Sequence, residues 1–232
     1  MVNPVKKLAY IGSVLLICIS SVLSHAMVAG ADEQLSAVLE GIFKRYGELK
    51  GISIPYKLET ITKSMAMLGN GAKSDKAAGT ILFMPPNYLS ILQTTPGKET
   101  VTTDGNTVWY YIESKKVAYE YQAETLDKLI KPLSKIFGGL SKAEDNFDIT
   151  QSDLEDKTNY HLKLVPNPAS EEVDYIDLLV EKNGFNVRVI EIHNILGGIT
   201  RYKLEDLSIR KDLQKKDFIF RAPEGVTIKK EP

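Results

Sequence analysis

From Gly79 onward, apolar residues recur with a period of two, and each run stops at residues that end strands. Thr80 to Met84 is apolar on both faces and stops at Pro85-Pro86, which lack a backbone donor and push Met84 out of helical space. Tyr88 to Thr95 alternates and ends at Pro96-Gly97, while Glu99 to Thr103 runs into Asp104-Gly105 and Asn106 to Ile112 leaves it. An Asp-Gly pair between alternating runs predicts a type I′ hairpin with positive φ at both central residues. A β-meander results, and Val117 to Tyr121 adds a tyrosine-rich strand.

Two stretches switch to the helical period. Leu35, Val38, Leu39, Ile42, Phe43 and Tyr46 make one apolar stripe that exits at Gly47 and Gly51, so an N-terminal helix should pack on the sheet. Leu126, Leu129, Ile130, Leu133, Phe137 and Leu140 make a second stripe, with Pro132 kinking it or starting a second short helix and Gly138-Gly139 near its end. Between them Ile52, Ile54, Tyr56 and Leu58 alternate as a strand, and Ser64 to Lys76 holds Gly69-Asn70-Gly71, a turn or loop.

Strand patterns return at Phe147 to Gln151, Tyr160 to Val165, Val173 to Glu181, Phe185 to His193, Thr200 to Ile209 and Phe218 to Phe220. Asn183-Gly184 reads as a second hairpin turn and Gly197-Gly198 as a bend or bulge. The fold class is mainly β, about eleven antiparallel strands in one curling sheet with an early helix and a central helical insertion.

Several strands carry apolar residues on both faces, as in Ile81 and Phe83 against Leu82 and Met84, so each face needs a cover. Either side chains fill the interior, or the sheet encloses an apolar cavity with the Leu126 to Leu140 segment across its mouth. Such a cavity would hold acyl chains rather than a polar metabolite.

The N-terminus has the pattern of a secretory signal: Lys6-Lys7, an apolar run from Leu8 to Leu23, then small residues at Ser24, Ala26 and Ala29-Gly30-Ala31. Cleavage is expected after Ala31, with Ala26 the alternative, which makes residues 1–31 a leader and 32–232 one domain. The rival is a membrane anchor, for which the run falls a little short of the ~20 residues that span a bilayer. The single cysteine, Cys18, lies inside the leader, and no disulfide is expected.

Charge narrows the partners. With 29 basic and 30 acidic residues and no basic block, nucleic acid is not expected to bind. Enzyme motifs are thin: there is no G-x-S-x-G elbow, P-loop or dinucleotide fingerprint. His161 and His193 sit on separate strands in no metal-ligand spacing and read as solvated strand residues. Acidic pairs such as Glu171-Glu172, and the lysines 211, 215, 216, 229 and 230, read as solvated surface and tail. No catalytic residue, metal or cofactor is expected.

Several stretches in order carry a family resemblance. Gly79-x-Ile81-x-Phe83-x-x-Pro86-Asn87, the Pro96 turn, Asp104-Gly105, Val108-Trp109-x-Tyr111, Tyr160-x-Leu162-x-Leu164-x-Pro166 and Phe218-x-Phe220-x-x-Pro223-x-Gly225-Val226 together resemble the LolA family of periplasmic outer-membrane lipoprotein carriers. The resemblance implies an open, incomplete β-barrel with a helical lid over an apolar cavity. It implies a monomeric periplasmic carrier that takes acylated lipoproteins from an inner-membrane ABC transporter and delivers them to an outer-membrane receptor lipoprotein. It implies no cofactor and no covalent chemistry.

Strand parity puts Ile81, Phe83, Leu89 and Ile91 on the side that carries a lid-locking arginine in the family, and the resemblance thereby implies that they face the cavity, with Trp109 and Tyr111 added to them and Leu126, Leu129, Ile130 and Leu133 in the lid. Where the family commonly has a lid-locking arginine, this chain has Pro85, and the usual turn near the second bend reads Asn194-Ile195-Leu196-Gly197-Gly198. Lid closure would then rest on Leu129, Ile130 and Leu133 against Leu89 and Ile91, and Leu89→Glu should abolish lipid capture without unfolding the chain. A carrier of another amphiphile, such as a glycolipid or other envelope lipid, and a lipid-binding sensor domain are the alternatives.

Overall fold

The structure, a computed structural model, describes residues 33–67, 74–122, 131–140, 142–152 and 156–230. The chain divides into two compact units, Met1–Val38 and Leu39–Pro232. Of the first, only the helical residues 33–38 are described, so the expected leader and its cleavage points lie outside the described residues.

The second unit is one sheet of thirteen described strands. In chain order they are β1 (Ile52–Ile61), β2 (Asp75–Met84), β3 (Tyr88–Thr95), β4 (Glu99–Thr103), β5 (Thr107–Ile112), β6 (Val117–Gln122), β7 (Phe147–Gln151), β8 (Asn159–Pro166), β9 (Val173–Glu181), β10 (Val187–Asn194), β11 (Ile199–Leu204), β12 (Ser208–Ile209) and β13 (Thr227–Lys230). Their spatial order is β13-β6-β5-β4-β3-β2-β1-β11-β10-β9-β8-β7, with β12 on β1. All pairings are antiparallel except β13 on β6. The path runs from β13 to β7 without closing, which makes the sheet an open one.

The meander forms as its alternation dictates, but its turn chemistry differs from a type I′ hairpin. Only Gly105 has positive φ, at 95°, because the Asp104 carboxylate accepts the Asn106 and Thr107 N–H groups and closes the turn itself. At the β9–β10 turn the positive-φ pair is Gly184-Phe185, one residue later than the Asn183-Gly184 pattern predicts. Gly79 faces the carbonyl of Leu92 so closely that a Cβ would stand 2.0 Å from that oxygen, at a register shift between β2 and β3. Any side chain there would force the two strands apart.

Helix α1 covers residues 33–46, α2 is Lys63–Met67 and the described part of α3 is 131–137. In the second unit, Ile42 and Tyr46 are buried as the stripe predicts, but Phe43 is 41% exposed. The Val187 N–H donates to the Tyr46 hydroxyl at 2.9 Å, anchoring α1 on β10. The Phe83 and Phe137 rings lie 6.1 Å apart, seating α3 on β2. Both helices therefore occupy one face of the sheet. Their ends meet at Gly139, which has φ +80° and where a Cβ would stand 2.8 Å from the Gly47 nitrogen.

The opposite face of β3–β5 is covered by the C-terminal segment. Phe218, 1% exposed, packs on Tyr88, and Phe220 stacks on Trp109 with ring centroids 5.0 Å apart. The Phe218 to Phe220 stretch is thus not a strand; a 3₁₀ turn, Lys215–Phe218, ends inside it. The strand comes later, where Lys229 and Lys230, expected as a solvated tail, pair with Tyr119 and Glu120 of β6.

Candidate functional site

Directly paired residues of neighbouring antiparallel strands share a face, so the registers sort the sheet into rows. The central row of the helix-bearing face reads Ile54, Ile81, Ile91, Val101, Tyr110, Tyr119 from β1 to β6. One flanking row reads Ile52, Phe83, Leu89, Thr103, Val108, Tyr121, and the other Tyr56, Gly79, Gln93, Glu99, Ile112, Val117.

Burial changes along the central row. Ile54 and Ile81 are 1% and 0% exposed, whereas Ile91, Val101, Tyr110 and Tyr119 are all half-buried. The β1–β2 end is sealed under side chains; on β3–β6 the central row presents an apolar, tyrosine-rich strip that keeps part of its area accessible, while Leu89, Thr103, Val108 and Ile112 beside it are buried. The Tyr110 and Tyr119 rings stack at 6.2 Å, and Tyr119 stacks on Tyr121 at 6.3 Å.

One carboxylate stands in this surface. Glu99 accepts a hydrogen bond from the Tyr110 hydroxyl, and its row-mate Tyr56 feels its charge. Burial first, and Glu99 second, push the Tyr56 phenol up to about 12. The Tyr110 phenol is held above its ordinary value by burial, then by its bond to Glu99. Burial also raises Tyr202, whose ring lies 5.6 Å from that of Tyr56. Neutral phenols, hydrocarbon and one carboxylate suit an amphiphile: rings and aliphatic groups for chains, Glu99 for a hydrogen-bond donor.

Ile81, Phe83, Leu89 and Ile91 do share the helix-bearing face. Three of them, Ile81, Phe83 and Leu89, are at most 1% exposed; only Ile91 lies in the accessible part. Leu89→Glu would therefore bury a charge in the core, and the variant is expected to lose its fold rather than lipid capture alone. Trp109 and Tyr111 are corrected as well. The pairs Thr102↔Trp109 and Thr100↔Tyr111 put them on the opposite face, where Phe220 covers both. Of the expected lid, Leu133 is 2% exposed on α3, while Leu126, Leu129 and Ile130 lie outside the described residues. Pro85 lines a recess of about 750 Å³ with Leu49, Tyr88 and Leu213, at the end of β2.

Val101, Tyr110, Tyr119 and Glu99 went unread as site residues. Parity alone finds them once Asp104-Gly105 fixes the hairpin register, since Val101 pairs Tyr110 and Glu99 pairs Ile112. On the far face, Asp177, Glu191 and His193 bring one ligand atom each to within 4.8 Å of one another. His193 is not a solvated strand residue: its side chain is 15% exposed.

An open sheet with helices on one face and a half-covered apolar surface defines the architectural class, an incomplete β-barrel. The family described as "Outer membrane lipoprotein carrier protein LolA" matches residues 65–221, and the chain belongs to the LolA family. An outer-membrane lipoprotein carrier protein from Halorhodospira halophila is 21% identical over 78% of this chain and 85% of its own. One from Methylococcus capsulatus is 24% identical over 68% of this chain and 74% of its own. Among solved structures, an uncharacterized conserved protein from Thermus thermophilus superposes with a TM-score of 0.51 at 10% identity, covering 85% of this chain and 99% of that one. That likeness concerns the fold. Among the described residues, no helix is long and apolar enough to cross a membrane.

Proposed function

We propose that this chain is a periplasmic carrier that shelters the acyl chains of lipoproteins on the β3–β6 part of its helix-bearing face. The carrying observation is the fall in burial along the row Ile81, Ile91, Val101, Tyr110, Tyr119. A sealed core next to an accessible apolar surface supplies rigidity at one end and a place for hydrocarbon at the other. Each methylene sheltered there contributes about 0.8 kcal/mol, so a few acyl chains are held firmly without a covalent bond. In this reading residues 1–31 direct export and are removed, the cargo comes from an inner-membrane ABC transporter, and an outer-membrane receptor lipoprotein takes it. The protein acts as a monomer and performs no chemistry.

Native mass spectrometry with lipid extraction, on the protein taken from its own host, tests this. A bound acylated lipoprotein is expected; a protein that comes out empty and takes up neither lipoprotein nor lipid would overturn the reading. A second reading rests on Glu99. A carboxylate hydrogen-bonded by Tyr110 within the apolar surface also suits a free envelope lipid whose headgroup donates hydrogen bonds, and recovery of such a lipid would favour it.

A further inference from the structure

The face away from the helices carries a polar ladder across five strands: Glu59 on β1, Arg201 on β11, Glu191 on β10, Asp177 on β9 and Lys163 on β8 are successive cross-strand neighbours. Arg201 binds both Glu191, through Nε, and Glu59, through Nη1 at 3.0 Å. One guanidinium thus serves two carboxylates, and Asp177 adds a third negative charge. Lys163 places its ammonium over the Tyr175 ring, 3.9 Å from the centroid, rather than on Asp177.

His193 is held in this patch. Its ring stacks on Tyr175 with centroids 4.1 Å apart and planes 16° from parallel. Its Nε2 is buried and makes no hydrogen bond, although Asp177 Oδ2 lies at 3.2 Å and Glu191 Oε2 at 3.6 Å. A buried imidazole nitrogen that faces two carboxylate oxygens without hydrogen-bond geometry calls for a third party between them. Tetrahedral zinc with bonds of 2.0–2.1 Å separates its ligand atoms by about 3.3 Å. The two observed distances bracket that edge.

We propose that Asp177, Glu191 and His193 form a binding site for a divalent transition-metal ion of the zinc type. One nitrogen and two carboxylate oxygens supply three positions of a tetrahedron. Two of the three, Asp177 and Glu191, also line a recess of about 480 Å³ beside Lys163 and Gln151, which leaves room for water or an exogenous ligand as the fourth. Arg201 bonded to the other Glu191 oxygen, and Tyr175 under the imidazole, orient two of the three ligands, as outer-shell partners do in metal sites. The site is on the opposite face from the proposed acyl surface, so it is independent of that reading.

Calorimetric titration of the exported protein with zinc chloride, in a buffer that does not chelate, tests the site. One ion per chain is expected, and His193→Gln and Asp177→Asn are each expected to weaken binding at least about tenfold. His161→Gln is the control, because His161 is held by Asp156 at 3.1 Å outside the cluster, and it should bind as the parent does. Melting curves without metal establish that each variant is folded, and zinc should raise the melting temperature of the parent but not of the His193 variant. Cobalt substitution should give the intense visible absorption of a tetrahedral site. Absence of saturable binding, or binding lost equally in His161→Gln and His193→Gln, overturns the proposal.

Discussion

The two ends of one cross-strand row behave differently although their residues are chemically alike. Ile54 and Ile81 at the β1–β2 end are closed off, while Ile91 and Val101, two strands further, stay half-buried. The difference lies above the sheet. At the sealed end Phe83 meets Phe137 of α3, and the Gly139–Gly47 approach lets the two helices close together over the strands. The same kind of hydrophobic residue is therefore core at one place and binding surface at another, decided by which helix reaches it.

Substitutions at the sealed end, and at Leu89 beside it, should cost the most stability. Leu89→Glu strands a charge among residues 1% exposed or less and should destabilise by about 4–5 kcal/mol or more, abolishing the folded state in urea titrations. Phe83→Ala removes a fully buried ring and should cost about 3–5 kcal/mol. Gly139→Ala, at φ +80° and with the Gly47 nitrogen in the way, should cost about 1–3 kcal/mol. If Phe83→Ala unfolds no more readily than Ile91→Ala, the division of the row into two ends is wrong.

At the accessible end the order of effects reverses. Ile91→Glu and Val101→Glu keep part of their side chains in water, so they should unfold at nearly the parent's urea concentration. Binding of a fluorescent fatty acyl probe should fall at least about tenfold, as loss of two buried methylenes alone would produce. Retained probe binding would move the acyl surface elsewhere. Trp109→Ala should leave probe binding unchanged, because Phe220 covers that ring on the other face.

Much of this architecture was legible as period and punctuation. Tyr88–Thr95, Glu99–Thr103, Phe147–Gln151 and Val173–Glu181 have the boundaries that alternation and turn residues predict. Phe218 and Phe220 misled, because their alternation serves two contacts of a wrapping segment, with Tyr88 and with Trp109, rather than a ladder. The site was half legible. Parity put Ile81, Phe83, Leu89 and Ile91 on one face, but period says nothing about what covers a face, so core and surface looked identical. Trp109 and Tyr111 fall on the other face because the pairs Thr102↔Trp109 and Thr100↔Tyr111, which the parity of β2 and β3 does not supply, set their direction. His193 escaped notice since Glu191-x-His193 is a same-face pair only on a strand, and its third neighbour, Asp177, is supplied by the ladder.

Alkaline titration offers the finest comparison of the two ends. Tyr46 on α1, Tyr56 at the sealed end and Tyr110 at the accessible one all have phenols raised chiefly by burial. The folded state then keeps its protons where the unfolded chain, with phenols near about 10, loses them. The stability that these tyrosines contribute is complete below about pH 10 and drains as pH climbs. For Tyr56 the loss should continue until its folded value of about 12 is passed. Tyr56→Phe should flatten this alkaline loss, read from urea midpoints across the interval. A bound acyl probe should push phenolate formation by Tyr110 still higher, by taking water from its ring, and leave Tyr46, already capped by Val187, where it was. A probe that shifted both equally would mean that the two ends respond as one, and that binding acts through the whole sheet rather than on the β3–β6 surface.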